Sequence, residues 1–149
     1  MPNLLTIRNI TLELGTENSG ATWTYSPLCA GIDNLAEALN ETVQQYFFLC
    51  QGGFATNHVT GMAPALTITG RRIVGDAAQD YIFSKKYSLD TDRESSLKLS
   101  WQDGAGATQN ITVPVVLCNI QEWSGATNDD SAISVELRFH GAPTLGTAS

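Results

Sequence analysis

Few residues of this chain are of a type that could do chemistry, and none stands at a catalytic spacing. His58 and His140 are the only histidines. Neither belongs to an HxxxH or HExxH array, which would set two metal-binding side chains on one helix face. Cys29, Cys50 and Cys118 are odd in number and include no CxxC pair, so zinc-ligand spacing is absent. They read as reduced, small apolar residues near strands. Asp90, Asp92 and Glu94 alternate in SLDTDRE as calcium ligands do. An EF-hand also needs a Gly at its sixth position and a distal Glu, and both are missing. That segment reads as a solvated turn, as does Asp129–Asp130. There is no Gly-x-Ser-x-Gly turn and no Walker loop. The scattered carboxylates give no positive sign of a glycosidase pair. Arg71 and Arg72 are too few for a phosphate-binding patch and are candidates for ion pairs, at an interface or within the subunit. The expectation is a protein that is not an enzyme, with no catalytic residue, metal or cofactor.

The chain has 149 residues, enough for one domain spanning 1–149. Its charged content is 15%, against about 25% in an ordinary soluble domain. A charge-poor surface rich in Thr, Ser, Asn and Gln suits contact with other protein, or a secreted-type β-domain. Fifteen acids against eight bases give a net charge of −7. That balance argues against a grip on nucleic acid, which depends on basic side chains displacing counterions. The opening MPNLLTIRNITLEL has no basic region followed by a long apolar run. No run nears the 18 apolar residues of a membrane span. The N-x-T triplets at Asn9, Asn40 and Asn110 therefore read as chance.

Alternation organises most of the chain. Ile133, Val135, Leu137 and Phe139 interleave with Ser134, Glu136, Arg138 and His140, the period-2 pattern of a strand with one buried face. Leu97, Leu99 and Trp101 behave likewise, as do Leu66 with Ile68 and Trp23 with Tyr25. Leu5 and Ile7 lie on one parity and Ile10, Leu12 and Leu14 on the other, so a bulge near Arg8 or two covered faces is expected. Residues 110–120 are apolar on both parities but contain Pro114, which suggests an edge strand or a bulge. One short helix follows Gly75. Asp76 is its expected cap with Gln79 as capping-box partner, and Ala77, Ala78, Tyr81 and Ile82 its expected packing face. Gly15–Gly20 and Asp103–Gly106 read as hairpin connections. Residues 51–64 read as a long loop carrying two apolar side chains, Phe54 and Met62, and residues 142–149 as a short tail.

Three stretches in this order, WTYSPLCAGI (23–32), TITGRRIVGDAAQDYIFSKKY (67–87) and the strand running into FHGAP (131–143), resemble the major tail protein of siphophages, the tail tube protein. EWSGAT (122–127) departs from the resemblance, which leads one to expect a more Gly- and Asp-rich turn. The resemblance implies a mainly β fold: a β-sandwich or partly open barrel with one flanking short helix. It also favours strand or irregular structure over 33–45, where helix propensity alone favours a helix. Six copies would form a ring, and rings would stack into a hollow conduit for DNA ejection.

Four strands from each of six subunits, about 24 at ~4.8 Å and tilted near 40°, close a barrel roughly 48 Å across. The bore of about 40 Å would pass a duplex. The resemblance makes the chain its own main partner, with tape measure and tail completion proteins beside it. DNA would pass without specific binding, and no membrane is involved. The location would be the virion, after assembly in the host cytoplasm. Phe54 and Met62 become candidates for ring stacking, and Glu136 for an acid facing the bore. The alternatives are the inner tube of a contractile injection particle or tailocin, and a β-sandwich carbohydrate-binding module using Trp23, Trp101 and Trp123 as a platform.

Overall fold

The stretches with the clearest alternation all enter one antiparallel sheet. The computed structural model describes residues 4–19 and 22–148. Its elements are β1 (Thr11–Ser19), β2 (Thr22–Pro27), β3 (Ile32–Ala38), β4 (Glu41–Phe47), β5 (Ala55–Met62), β6 (Ala65–Arg71), α1 (Ala77–Ser84), β7 (Glu94–Gln102), β8 (Thr108–Gln121), β9 (Ala132–Phe139) and β10 (Thr144–Ala148). The sheet runs β2-β1-β7-β8-β9-β6-β3, with β10 also on β8. Leu66, Leu137 and Leu117 face one another across three strands, and Leu97 faces Val113.

Leu12 and Leu14 of β1 share one buried cluster with Leu66 and Ile68 of β6, although three strands separate them in the sheet. The sheet therefore rolls over its own core. One layer holds β2, β1, β7, the first half of β8 and β10. The other holds the second half of β8 with β9, β6 and β3. This is the expected β-sandwich or partly open barrel, and α1 packs against β1, β2 and β8.

Pro114 does not lie at an edge. β10 pairs with β8 from Thr108 to Thr112, and β9 pairs with it from Val115 onward. Pro114 sits between them, where the partner changes, and its carbonyl accepts the His140 N–H at 2.8 Å. A residue without an N–H is tolerated at that fork. The bulge of β8 comes later, where Asn119 has φ of +51° and the register to β9 shifts. The parity change near Arg8 is a 3-10 turn over Ile7–Asn9 rather than a bulge, and it leaves Leu5 and Ile7 exposed ahead of β1.

Other expectations are corrected in detail. Gly15 to Ser19 is strand. A Cβ on Gly15 would stand 2.7 Å from the Trp23 ring, so the glycine makes room for that indole. The connection itself, at residues 20 and 21, lies outside the described residues. Residues 33–45 form β3 and β4, as the resemblance favours, because cross-strand partners outweigh local helix propensity. Residues 51–64 are not a loop: β5 fills most of them. The tail of 142–149 carries β10, paired with β8. Asp103 organises its turn as expected, its carboxylate accepting the N–H groups of Ala105 and Ala107. Gln109 also donates to it, and these bonds, led by that of Gln109, hold the acid below its ordinary pKa.

Candidate assembly surfaces

β3–β4 and β5–β6 are the two legs of one long hairpin. It bends at Asn40, whose φ is +50°, and across from it at Ala63–Pro64. The β3 and β6 half belongs to the body. The β4 and β5 half is an arm that pairs only with itself among the described residues. Between Glu41 and Arg71 the sequence holds no Asp, Glu, Lys or Arg. All of β4 is exposed, as are Asn57 to Met62 of β5. Phe47, Phe48, Leu49 and Phe54 crowd the tip, with Leu49 fully exposed and Phe54 79% exposed. Tyr46 stacks on Phe48 at 5.7 Å. Gly52 and Gly53 turn the tip with positive φ. Phe54 and Met62 thus stand at opposite ends of the arm, tip and base. A lone two-stranded hairpin is marginal in water, and an uncharged one with open edges is a template for other chains.

The second surface is the outer face of the β3-β6-β9-β8 layer. Ala36, Thr67, Glu136 and Cys118 form one row across it; Asn34, Thr69, Ser134 and Gln121 form the next. Glu136 pairs with Arg138 on its own strand and accepts a bond from the Asn119 amide at 3.2 Å. That carboxylate raises the pKa of Arg138. All three pairings within the layer are antiparallel. Among the described residues both sides of the layer lack a strand partner: the outer edge of β3, and β8 beyond Val116, where the ladder to β7 ends and the Arg93 guanidinium takes the Leu117 carbonyl.

The third cluster ties α1 to the body. Arg72 is nearly buried, with Nε 2.9 Å from Glu122 and Nη2 2.9 Å from Asp80. Its guanidinium lies over the Phe83 ring at 4.7 Å. Lys86 reaches the other oxygen of Glu122 at 2.7 Å and stands 3.5 Å from the centre of the Trp123 ring. Burial works against charge at Arg72 and Glu122, but the ion-pair bonds prevail: those to Glu122 and Asp80 raise Arg72, and those from Lys86 and Arg72 lower Glu122, from their ordinary pKa values. Asp80 is lowered as well, chiefly by its bond from Arg72. Arg72 therefore serves an ion pair inside the subunit. Arg71 is exposed at the end of β6.

Asp76 caps α1 by accepting the Gln79 N–H at 3.2 Å. The Gln79 side chain does not return to the cap. It is fully buried, accepts the Ile73 N–H at 2.8 Å, and donates to the carbonyls of Ala30 at 2.7 Å and Arg71 at 3.1 Å. The buried face of α1 is accordingly Ala78, Gln79, Ile82 and Phe83, one residue on from expectation, with Ala77 exposed and Tyr81 half-buried. A buried glutamine with every group bonded turns the helix toward the β2–β3 connection. Gly70 shares this junction. A Cβ there would lie 2.0 Å from the Gly31 carbonyl, and the Arg71 N–H bonds that carbonyl at 2.7 Å. Sequence reasoning missed Gln79 as a clasp and Arg93, whose guanidinium bonds the carbonyls of Lys86, Ser88 and Leu117. A glycine inside a strand pattern was the available signal for Gly70.

His58 lies on the arm and His140 beside Glu94 on the body. No group of three or more His, Cys, Asp and Glu among the described residues is placed to hold a metal. Trp101 and Trp123 line separate hollows, and Trp23 covers Gly15.

No protein-family model and no curated protein matches the sequence. Solved structures do match the fold. The tail of an empty gene transfer agent particle, refined helically with C6 symmetry, superposes with a TM-score of 0.70 at 12% identity, over 96% of this chain and 99% of that one. The SPP1 tail tube gives 0.71 at 12% identity, over 97% and 80%. The sheath-tube complex of PVC, an extracellular contractile injection system, gives 0.59 at 10% identity, over 97% and 93%. The chain has the tail tube fold.

Proposed function

We propose that the protein is a structural, non-enzymatic subunit of a phage tail tube. Six copies form a ring, and rings stack into a hollow conduit for DNA ejection. The observation that carries this reading is the four-stranded layer with two open edges, in a chain of tail tube fold. Its strands alternate in direction, so the β3 edge of one copy meets the β8 edge of the next antiparallel. An even number of strands per copy lets that pattern repeat around a closed ring. Closure removes edges that would otherwise invite aggregation. The C6 symmetry of the gene transfer agent tail supports six copies.

In this reading the outer face of the layer becomes the bore. It offers DNA short neutral side chains, Thr67, Thr69, Ser134 and Asn34, and the cation of Arg138 is already paired with Glu136. Glu136 faces the bore as a partner of that arginine rather than as a free acid. Arg71 lies on the same face as Thr67 and Thr69; once it is paired between copies the wall has no free cation to hold phosphate, and six chains carry 6 × −7 = −42 formal charges per ring. Arg71, free of the helix clasp, is the remaining candidate for an ion pair between copies. The arm, from Met62 to Phe54, stacks the rings. Tape measure and tail completion proteins bind the finished tube, which assembles in the host cytoplasm and works in the virion. The higher TM-scores to the SPP1 and gene transfer agent tails favour this reading over the tube of a contractile particle.

Negative-stain microscopy of concentrated protein tests it. Hollow tubes or six-fold rings are expected, and a lasting monomer contradicts the reading.

A further inference from the structure

The arm and its receptor can be placed at opposite ends of the same strand. β3 runs from Ile32 to Ala38 and continues into the arm at its C-terminal end. At its N-terminal end, a groove of about 370 Å³ opens between the 3-10 turn and β3. Ile7, Ile10, Leu28, Cys29, Ile32 and Leu35 line it, with Arg8 and Asp33 at its rim. The seven residues of β4 set the arm tip about 23 Å from the bend at ~3.3 Å per residue, about the length of β3 itself.

We infer that the tip of one copy seats in this groove on the copy stacked above it, an inference that rests on the tube reading. The arm leaves one end of β3 and the groove lies at the other, so copies stacked end to end bring the uncharged tip of one toward the groove of the next. The contact is head-to-tail, so every copy gives one arm and receives one, and the assembly grows without limit along the axis. The size is adequate. Phe47, Phe48 and Phe54, at 150–250 Å² per buried aromatic ring, and Leu49 expose on the order of 500 Å² at the tip. With a similar area on the groove, the contact reaches about 1,000 Å², the lower bound of a specific interface. An uncharged tip also crosses the Arg8 and Asp33 rim without opposing either charge.

The native cysteines supply the test, because Cys50 lies at the tip, Cys29 lies in the groove, and both are exposed. In a Cys118→Ser background, concentrated protein is treated with a short bis-maleimide and resolved by denaturing electrophoresis. A ladder of dimer, trimer and longer species is expected. It should vanish in Cys29→Ser and in Cys50→Ser, and a mixture of those two variants should give dimer alone. Tubes that form while the adducts survive Cys29→Ser overturn the groove and leave the tube reading intact. Folded protein that forms neither tubes nor adducts overturns both.

Discussion

The body and the arm of this molecule are built on opposite terms. The body rolls its sheet over a core in which Leu14, Val113, Val115 and Leu137 are fully buried. It also pins its one helix with Gln79, Arg72 and Glu122. The arm has strand pairing from Glu41 to Phe47, with one register shift between Thr42 and Val43, and no core at all. Backbone hydrogen bonds alone make a hairpin that is marginal in water. On the tube reading, part of this sequence is written for the subunit and part for the assembly, and substitutions should separate the two.

The largest effect on the subunit should come from Gly70→Ala. Its Cβ would meet a backbone carbonyl that cannot move without parting β6 from the β2–β3 connection. A loss of about 3 kcal/mol, read by urea denaturation, is expected; an unchanged midpoint would break the account of that junction. Gln79→Leu should follow, since it strands the Ile73 N–H and two carbonyls in the interior. About 2–3 kcal/mol is expected, seen as a lower Tm.

Acid should produce a smaller loss. Asp80 and Glu122 have folded pKa values below their unfolded ones, near 3.9 and 4.3. Their contribution is complete above those unfolded values and fades as pH falls through the folded ones. Stability should therefore decline below about pH 4, and Glu122→Gln should flatten the decline. An identical acid profile in that variant would remove the ion cluster from the argument. The smallest effect on the subunit should come from Phe54→Ser with Met62→Ser, within about 0.5 kcal/mol of the parent. That pair should nonetheless block tube growth in electron micrographs, and normal elongation would take the arm out of stacking.

The same division explains what could be read in the sequence. Alternation marked β6, β7 and β9 because each buries one face in its own subunit. Asp76 announced α1, for a cap is a local device. The arm showed no such pattern: ATNHVTGM buries neither face in its own subunit, so no period-2 signal separates it from a loop. Residues that act across the fold were also silent. Glu122 meets Arg72 from 50 residues away, and Pro114 makes sense only at the place where β9 replaces β10 beside β8. Gln79 was legible as a helix-start residue but not as the buried clasp it becomes.

Hydrogen exchange of dilute and of assembled protein tests the central claim most directly. Amides of Glu41 to Met62 should exchange rapidly in the dilute subunit and slow by orders of magnitude on assembly, while those of β8 and β9 stay protected throughout. An arm already protected in isolation, or one that still exchanges freely in the assembled state, would contradict the account.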